Sequence, residues 1–108
     1  MKRPDDDVLL RDMADYARMA VTAAAGKTRQ DLDSDPVLAA ALKRFVEVIG
    51  EAASKLSDQT RSRLPGVPWL EIIGMRNRLV HGYAAVDRNI LWEVVASDLP
   101  AFLRLLER

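Results

Sequence analysis

The stretch that decides the fold is PVLAAALKRFVEVIGEAASKL, residues 36–56. Its apolar residues recur every three or four positions, which is the period of a helix with one face in a core. They are Leu38, Ala41, Leu42, Phe45, Val48, Ile49, Ala52 and Leu56. The preceding Ser34-Asp35-Pro36 places a capping residue before a proline, a combination typical of a helix N-terminus. We therefore predict a long amphipathic helix here.

The same period predicts a helix before this stretch. It covers residues 6–25, with the acidic residues Asp5–Asp7 at the N-terminal end that the helix dipole favours. Gly26 ends it, because glycine adopts the left-handed conformation that commonly stops a helix. Residues 27–33 are predicted to form a polar loop. We interpret Asp5–Asp7 as a solvated helix start and not as a magnesium site.

Two further helices are predicted after residue 56. Residues 57–66 form a turn that includes about one helical turn at 58–63, and a third helix begins near Pro68 and ends around His81-Gly82. A fourth begins after Asp87, a plausible N-cap. Pro100 lies inside it and predicts a kink or a new helix start capped by Ser97 or Asp98.

No segment shows the strict alternation of a half-buried strand. Four amphipathic helices joined by short connections favour an all-α fold, an antiparallel four-helix bundle with a kinked last helix. The chain of 108 residues has the size of one domain, so a single domain over residues 1–108 is predicted.

Composition excludes several kinds of site. The chain has no cysteine, which removes disulfides, thiolate zinc sites and thiol nucleophiles, and its single histidine disfavours a transition-metal site. We therefore predict neither metal nor cofactor. No apolar run approaches the roughly 20 residues of a membrane span, and the N-terminus does not resemble a signal peptide. A cytoplasmic protein without membrane contact is expected.

The charges are balanced overall but unevenly distributed. The formal net charge is zero, which disfavours strong non-specific binding to nucleic acid. Residues 61–90, however, carry five arginines against Glu71 and Asp87. This local excess suits a brief contact with phosphate, and a scatter of solvated charges explains it equally well.

The segment GMRNRLVHGY, residues 74–83, concentrates the side chains that could carry chemistry. Histidine transfers protons near neutral pH, and arginine stabilises charge on phosphate. Asn77 lies one helical turn before His81 and could orient its imidazole. Arg76 and His81 are therefore candidate catalytic residues, with Asn77 and Arg78 in support.

Structural explanations for the same residues stay open. His81 before Gly82 is compatible with a simple C-cap. Arg76, Asn77 and Arg78 could be solvated, and Tyr83 could pack its ring on the bundle. The two tryptophans, Trp69 and Trp92, are interpreted as core or interface residues.

The lone histidine bears on the oligomeric state. Histidine and arginine beside a phosphate are suited to cleaving RNA without a metal. This reaction requires a base for the 2′-hydroxyl and an acid for the leaving 5′-oxygen. One histidine cannot easily serve both roles, whereas two copies across a dimer axis supply both. The sequence thus favours a homodimer with a shared cleft.

The spacing Arg76, four residues, His81, one residue, Tyr83 resembles the R-X4-H-X-Y motif of HepT-like toxins, a branch of the HEPN superfamily. The likeness extends over roughly residues 5–108. It includes Phe45-Val46-Glu47-Val48-Ile49-Gly50-Glu51-Ala52, Pro68-Trp69, Ile72-Ile73-Gly74-Met75-Arg76-Asn77, Leu91-Trp92-Glu93-Val94-Val95 and Asp98-Leu99-Pro100.

The resemblance implies a helical HEPN bundle that dimerises and cuts RNA without metal, leaving 2′,3′-cyclic phosphate ends. It also implies an MNT-type nucleotidyltransferase antitoxin as partner, which in some members adds AMP to the motif tyrosine, here Tyr83. The RNA substrate, tRNA or mRNA, stays open. The alternatives are a non-catalytic HEPN module that binds a nucleotide or a partner, and a helical dimerisation scaffold.

Overall fold

The computed structural model describes residues 5–80 and 87–107, and of residues 76–80 it describes the backbone only. All regular structure within these ranges is helical, without a strand, which confirms the predicted all-α class. The elements are α1 (Asp6–Ala24), α2 (Asp31–Ser34), α3 (Pro36–Lys55), α4 (Asp58–Ser62), α5 (Trp69–Val80), α6 (Arg88–Glu93), a π-helical segment (Val94–Asp98) and α7 (Leu99–Leu106).

Local signals set most helix boundaries, as predicted. Gly26 follows α1 with a φ of 76°, a left-handed conformation that costs glycine little. Asp35 caps α3, because its Oδ1 accepts the backbone N–H of Leu38 at 3.1 Å. Asp87 caps α6 through the N–H groups of Asn89 and Ile90, at 3.0 and 3.1 Å. These three ends need no tertiary contact to explain them.

The core lies around α3, which packs against α1 on one flank and α5 on the other. Tyr16 of α1 meets Phe45 of α3 with ring centroids 6.0 Å apart, which marks the α1 flank. The π-helical segment and α7 close the core against α1. The largest fully buried side chains are Met13, Leu32, Leu42, Val46, Ile49, Ile72, Leu91, Val94, Val95, Leu99 and Phe102.

The predicted polar loop at residues 27–33 is wrong in its second half. Residues Asp31–Ser34 form the short helix α2. Leu32, the second residue of this helix, is completely buried. The carboxylate of Asp31 accepts the backbone N–H of Thr28 at 2.7 Å. One buried leucine in a polar stretch has no periodicity, so tertiary packing decides this element.

The interpretation of Asp5–Asp7 as solvated is wrong for Asp6. Its side chain is fully buried, and its Oδ2 accepts the hydroxyl hydrogens of Ser57 and Thr60 at 2.6 and 2.5 Å. A buried carboxylate needs such donors to offset the loss of water. Asp6 therefore joins the start of α1 to α4.

The side-chain cap predicted before Pro100 is wrong, although a separate α-helix, α7, does begin at Leu99. Asp98 keeps helical dihedral angles (φ −72°, ψ −43°) and makes no capping hydrogen bond. A π-helical segment, Val94–Asp98, runs directly into α7, where Pro100 occupies the first turn. The wider π turn accommodates the irregularity at the proline without breaking the helical path.

Within residues 5–80 and 87–107, no helix combines the length and the apolar character needed to cross a bilayer.

Candidate active site

The start of α5 is fixed by Trp69. Its indole Nε1 donates to the carbonyl oxygens of Arg61 and Leu64 at 3.1 and 3.0 Å, which ties α5 to α4 and to the turn after it. Its ring meets Phe102 of α7 edge-on, with centroids 6.3 Å apart. This confirms Trp69 as a core residue, whereas Trp92 is half-buried at the edge of the core.

The buried face of α5 continues toward the motif. Ile72 and Met75 are buried like Trp69, and α5 lies along α3. Position 76 follows Trp69 by seven residues and Ile72 by four, so the helical period puts it on this same side of α5. The structure thus brings the candidate arginine onto a helix whose direction is fixed by packing against α3.

The opposite side of α5 is open. Leu70 is 85% exposed, the largest value among the exposed large hydrophobic residues of the described chain. A Cβ placed on Gly74 would meet nothing within 4 Å. Position 77 belongs to the same side, since it follows Leu70 by seven residues. A mid-helix glycine costs about 1 kcal/mol relative to alanine, and no contact within the described chain explains its choice here.

Helix α3 carries a charged flank away from α1. Phe45 marks the α1 flank, and the pair Lys43–Glu47 lies on the other side with Nζ and Oε2 3.3 Å apart. Glu47 is only 20% exposed. Beside it, a shallow groove on α3 is lined by Arg44, Glu47, Val48 and Glu51. The spacing of Lys43 and Glu47 is the usual one for an ion pair on a helix, so the sequence contained this signal.

A cleft between α5 and α7 does not suit RNA. It is lined by Pro68, Glu71, Ile72, Met75, Asp98, Ala101, Phe102 and Leu105. Its charged groups are the carboxylates of Glu71 and Asp98, which repel phosphate, and its walls are otherwise apolar. It is therefore not the candidate site.

An ionic network holds the start of α6. Arg29, before α2, donates from Nε to Asn89 Oδ1 at 2.6 Å, and its Nη1 lies 3.1 Å from Asp33. Arg88 Nη1 donates to the other oxygen of Asp33 at 3.1 Å. We call Arg29, Asp33, Arg88 and Asn89 the α2–α6 network. The hydrogen bond from Arg29 is the main reason that the pKa of Asp33 is lowered, and Arg88 lowers it further.

Sequence reasoning missed this network. Arg29 and Asp33 are four residues apart, but the contacts with α6 span 55 and 60 residues, and no periodicity relates their partners. The polar composition of residues 27–33 suggested a loop and gave no partner for its charges.

The five predicted site residues stand as follows. Arg76, Asn77 and Arg78 lie in the second half of α5, and their side chains are outside the description. His81 and Tyr83 fall in residues 81–86, outside the described residues. Their convergence on one cleft therefore stays a prediction. Among the described residues no group of three histidine or acidic side chains could hold a metal ion, and the metal-free chemistry also stays a prediction.

Comparison with known proteins places this helical chain in a class. The family model described as "Ribonuclease HepT-like" matches residues 11–108. The chain therefore belongs to the HepT-like family of the HEPN superfamily, which confirms the resemblance found in the sequence.

Relatives in three organisms bear ribonuclease names. A Thermococcus cleftensis protein named "Probable ribonuclease HepT" is 31% identical over 108 residues, 100% of this chain and 97% of the relative. A "Putative RNase" of Caldanaerobacter subterraneus subsp. tengcongensis is 41% identical over 75 residues, 69% of this chain and 67% of the relative. One of Methanocaldococcus jannaschii is 29% identical over 107 residues, 99% of this chain and 98% of the relative. No solved structure matches the chain significantly.

Proposed function

We propose that this protein is a metal-independent endoribonuclease toxin of a HEPN/MNT toxin–antitoxin pair, a single-domain four-helix bundle that acts in the cytoplasm as a homodimer. One observation carries the proposal. The family match spans residues 11–108 and so includes the whole Arg76–Tyr83 motif, and the relatives named above are ribonucleases by name.

The proposed chemistry uses two copies of the motif. One His81 takes the proton of the RNA 2′-hydroxyl, whose oxygen then attacks the adjacent phosphorus. The bond to the 5′-oxygen breaks, and the partner copy's histidine protonates this leaving group. Arg76 stabilises the negative charge of the pentacoordinate phosphate. The products are a 2′,3′-cyclic phosphate and a 5′-hydroxyl, so no water and no metal enter this step.

The open side of α5 supports the dimer. Leu70 at 85% exposure and the uncovered Gly74 give a second helix both an apolar contact and room for close approach. A two-fold contact there buries both copies of Leu70, because an isologous interface uses the same patch twice. It also brings together the two α5 helices, each of which leads into one copy of the motif, as a site with one histidine per chain requires.

The other motif residues receive supporting roles. Asn77 orients the His81 imidazole or the scissile phosphate, and Arg78 contacts RNA or the antitoxin. Tyr83 is the point of control, where an MNT-type nucleotidyltransferase transfers AMP from ATP to the phenolic oxygen. The phenol loses its proton, the bond between the α- and β-phosphates of ATP breaks, and pyrophosphate leaves. The adduct brings a phosphate and a nucleoside to the cleft, which excludes RNA through charge and volume.

The test is cleavage of end-labelled total RNA by the purified protein in buffer containing EDTA. His81→Ala and Arg76→Ala should each lower the rate at least 100-fold, a magnitude typical for loss of general acid–base or charge stabilisation. Arg104→Ala removes an exposed arginine of α7 and should leave the rate unchanged. Products should carry cyclic phosphate ends.

Two results would contradict the proposal. Unchanged cleavage by His81→Ala removes this residue from the mechanism. No cleavage by the wild-type protein, combined with retained binding of nucleotide or of the nucleotidyltransferase, favours the non-catalytic binding module.

A further inference from the structure

We propose that the α2–α6 network, Arg29, Asp33, Arg88 and Asn89, is a positioning device for the catalytic segment. This inference rests on the proposed function, because its effect is exerted on the chain that carries His81 and Tyr83. The contacts themselves are observed independently of any activity.

The network fixes the start of α6, where the described chain resumes after residue 86. Asp87 caps α6 through the amides of Asn89 and Ile90. The next two side chains, Arg88 and Asn89, are both held from the α2 side. Cap and network together therefore constrain three consecutive residues at the N-terminus of α6.

The other side of the network is itself anchored. Leu32 in α2 is completely buried, and α2 packs on α3 and on α6. Asp33 follows this leucine directly, so the core fixes the backbone from which its carboxylate extends. The network consequently joins α6 to a rigid part of the protein.

The same part of the protein fixes the preceding helix. Helix α5 packs along α3, which also contacts α2 and α6. Residues 81–86 thus connect two helix ends that are held to one scaffold, at Val80 and at Asp87. A shift of the α6 start changes where the end of this connection lies relative to Arg76 on α5.

Because the network is partly exposed, its effect on the position of α6 can be measured apart from its effect on global stability. The side chains of Arg29, Asp33 and Arg88 are 29%, 53% and 46% exposed, and ion pairs this open to water contribute little to global stability. Geometry at a catalytic site is far more sensitive, since a misplacement of about 1 Å can lower a rate about 100-fold. Loss of the network should therefore reduce kcat and leave Tm nearly unchanged.

The chain offers a closely matched control. Arg18 of α1 pairs with Glu107, 89 positions further along the chain, at 2.5 Å, and the side chains are 46% and 50% exposed. Here too one charged group, Arg18, bridges two partners, Asp15 and Glu107. The pair joins α1 to the end of α7 and does not contact α6. Glu107→Ala thus removes an equivalent long-range ion pair away from the catalytic segment.

The experiment compares Asp33→Ala, Asn89→Ala and Glu107→Ala in the full-length protein. Three quantities are measured: kcat and KM for a defined RNA, Tm, and hydrogen exchange of individual backbone amides. We expect Asp33→Ala to lower kcat about tenfold or more with KM changed less than twofold and Tm within about 2 °C. Exchange at Asn89 and Ile90 should rise about tenfold, with α1 and α3 unchanged.

A conservative variant tests the chemistry of the network. Arg88→Lys keeps a cation opposite Asp33 and should retain most of the wild-type kcat. Glu107→Ala should match the wild type in kcat, KM and exchange at α6.

Several results overturn the proposal. Unchanged exchange at Asn89 and Ile90 in Asp33→Ala shows that the network does not hold α6. Faster exchange with unchanged kcat shows that holding α6 is irrelevant to cleavage. A fall in Tm well beyond 2 °C shows that the network has a merely structural role. His81→Ala is measured in parallel to distinguish these results from failure of the proposed function. If this variant still cleaves RNA, the proposed mechanism is wrong, whereas the proposal for the network is not affected.

Discussion

The carboxylate of Asp6 accepts a 2.5 Å hydrogen bond from the hydroxyl of Thr60, 54 residues further along the chain. Both side chains are buried, and Ser57 donates to the same carboxylate oxygen. The first turn of α1 is thereby joined to α4, the short helix that leads into α5. Because Trp69 is hydrogen-bonded to the turn after α4, this contact also supports the start of α5.

Removing the carboxylate should destabilise the fold. Asp6→Ala leaves the buried hydroxyl of Thr60 and the half-buried hydroxyl of Ser57 without this acceptor. We expect a loss of about 2–4 kcal/mol in the free energy of unfolding, measured by urea denaturation. Asp12→Ala, at an exposed position of α1, is the control and should change stability by less than about 0.5 kcal/mol. A similar small change for Asp6→Ala would show that its buried hydrogen bonds are not needed.

The indole of Trp69 should contribute through its hydrogen bonds as well as its area. Trp69→Phe keeps an aromatic ring near Phe102 but removes the donor to the carbonyls of Arg61 and Leu64. We expect a loss of about 1–3 kcal/mol, from the two lost indole hydrogen bonds and a smaller ring, in thermal or urea unfolding. No change in unfolding would contradict the assigned role.

The dimer proposal makes a prediction for Leu70. Leu70→Glu places a charge on the proposed contact and should convert the dimer to monomer in analytical ultracentrifugation, with loss of cleavage. The matched control is Val37→Glu, because Val37 is similarly exposed, at 78% against 85%, but lies at the start of α3. Dissociation by the Val37 variant and not by the Leu70 variant would place the interface elsewhere.

The acid behaviour of the α2–α6 network follows from the lowered pKa of Asp33. Because the pKa is lowered in the folded protein, the contact is fully present above the ordinary aspartate pKa of 3.8 and is lost as the pH falls through the lowered value. The network should therefore be intact throughout the neutral range.

Carboxyl-carbon NMR titration checks this assignment. Arg29→Gln should raise the pKa of Asp33 more than Arg88→Gln does, since the hydrogen bond from Arg29 is the larger cause. Arg104→Gln should leave the titration of Asp33 unchanged. Equal curves for wild type and Arg29→Gln would contradict the network.

Mass spectrometry of the intact protein tests Tyr83 as the site of AMP transfer. Co-expression with a partner nucleotidyltransferase should add one or more AMP units to the wild-type chain, and Tyr83→Phe should abolish the addition. An addition that persists in Tyr83→Phe would move the modification to another residue. An unmodified wild-type chain would remove AMP transfer from the proposal.

Local signals in the sequence were sufficient for the long helices. The stop at Gly26, the cap and proline at Asp35-Pro36 and the cap at Asp87 act within a few residues of the chain, so the sequence predicts them directly. The motif residues 76–83 were also found from residue types and spacing, because the chemistry of arginine and histidine is readable without coordinates.

Other features required the tertiary structure. The burial of Asp6 depends on hydroxyls more than 50 residues away, the helix α2 depends on the pocket that receives Leu32, and the π-helical segment replaces a predicted cap. The α2–α6 network joins charges that polar composition assigned to a loop. Helix periods and caps are short-range properties of the backbone, whereas partners for polar side chains are chosen by which helices pack together, and only the folded chain settles that choice.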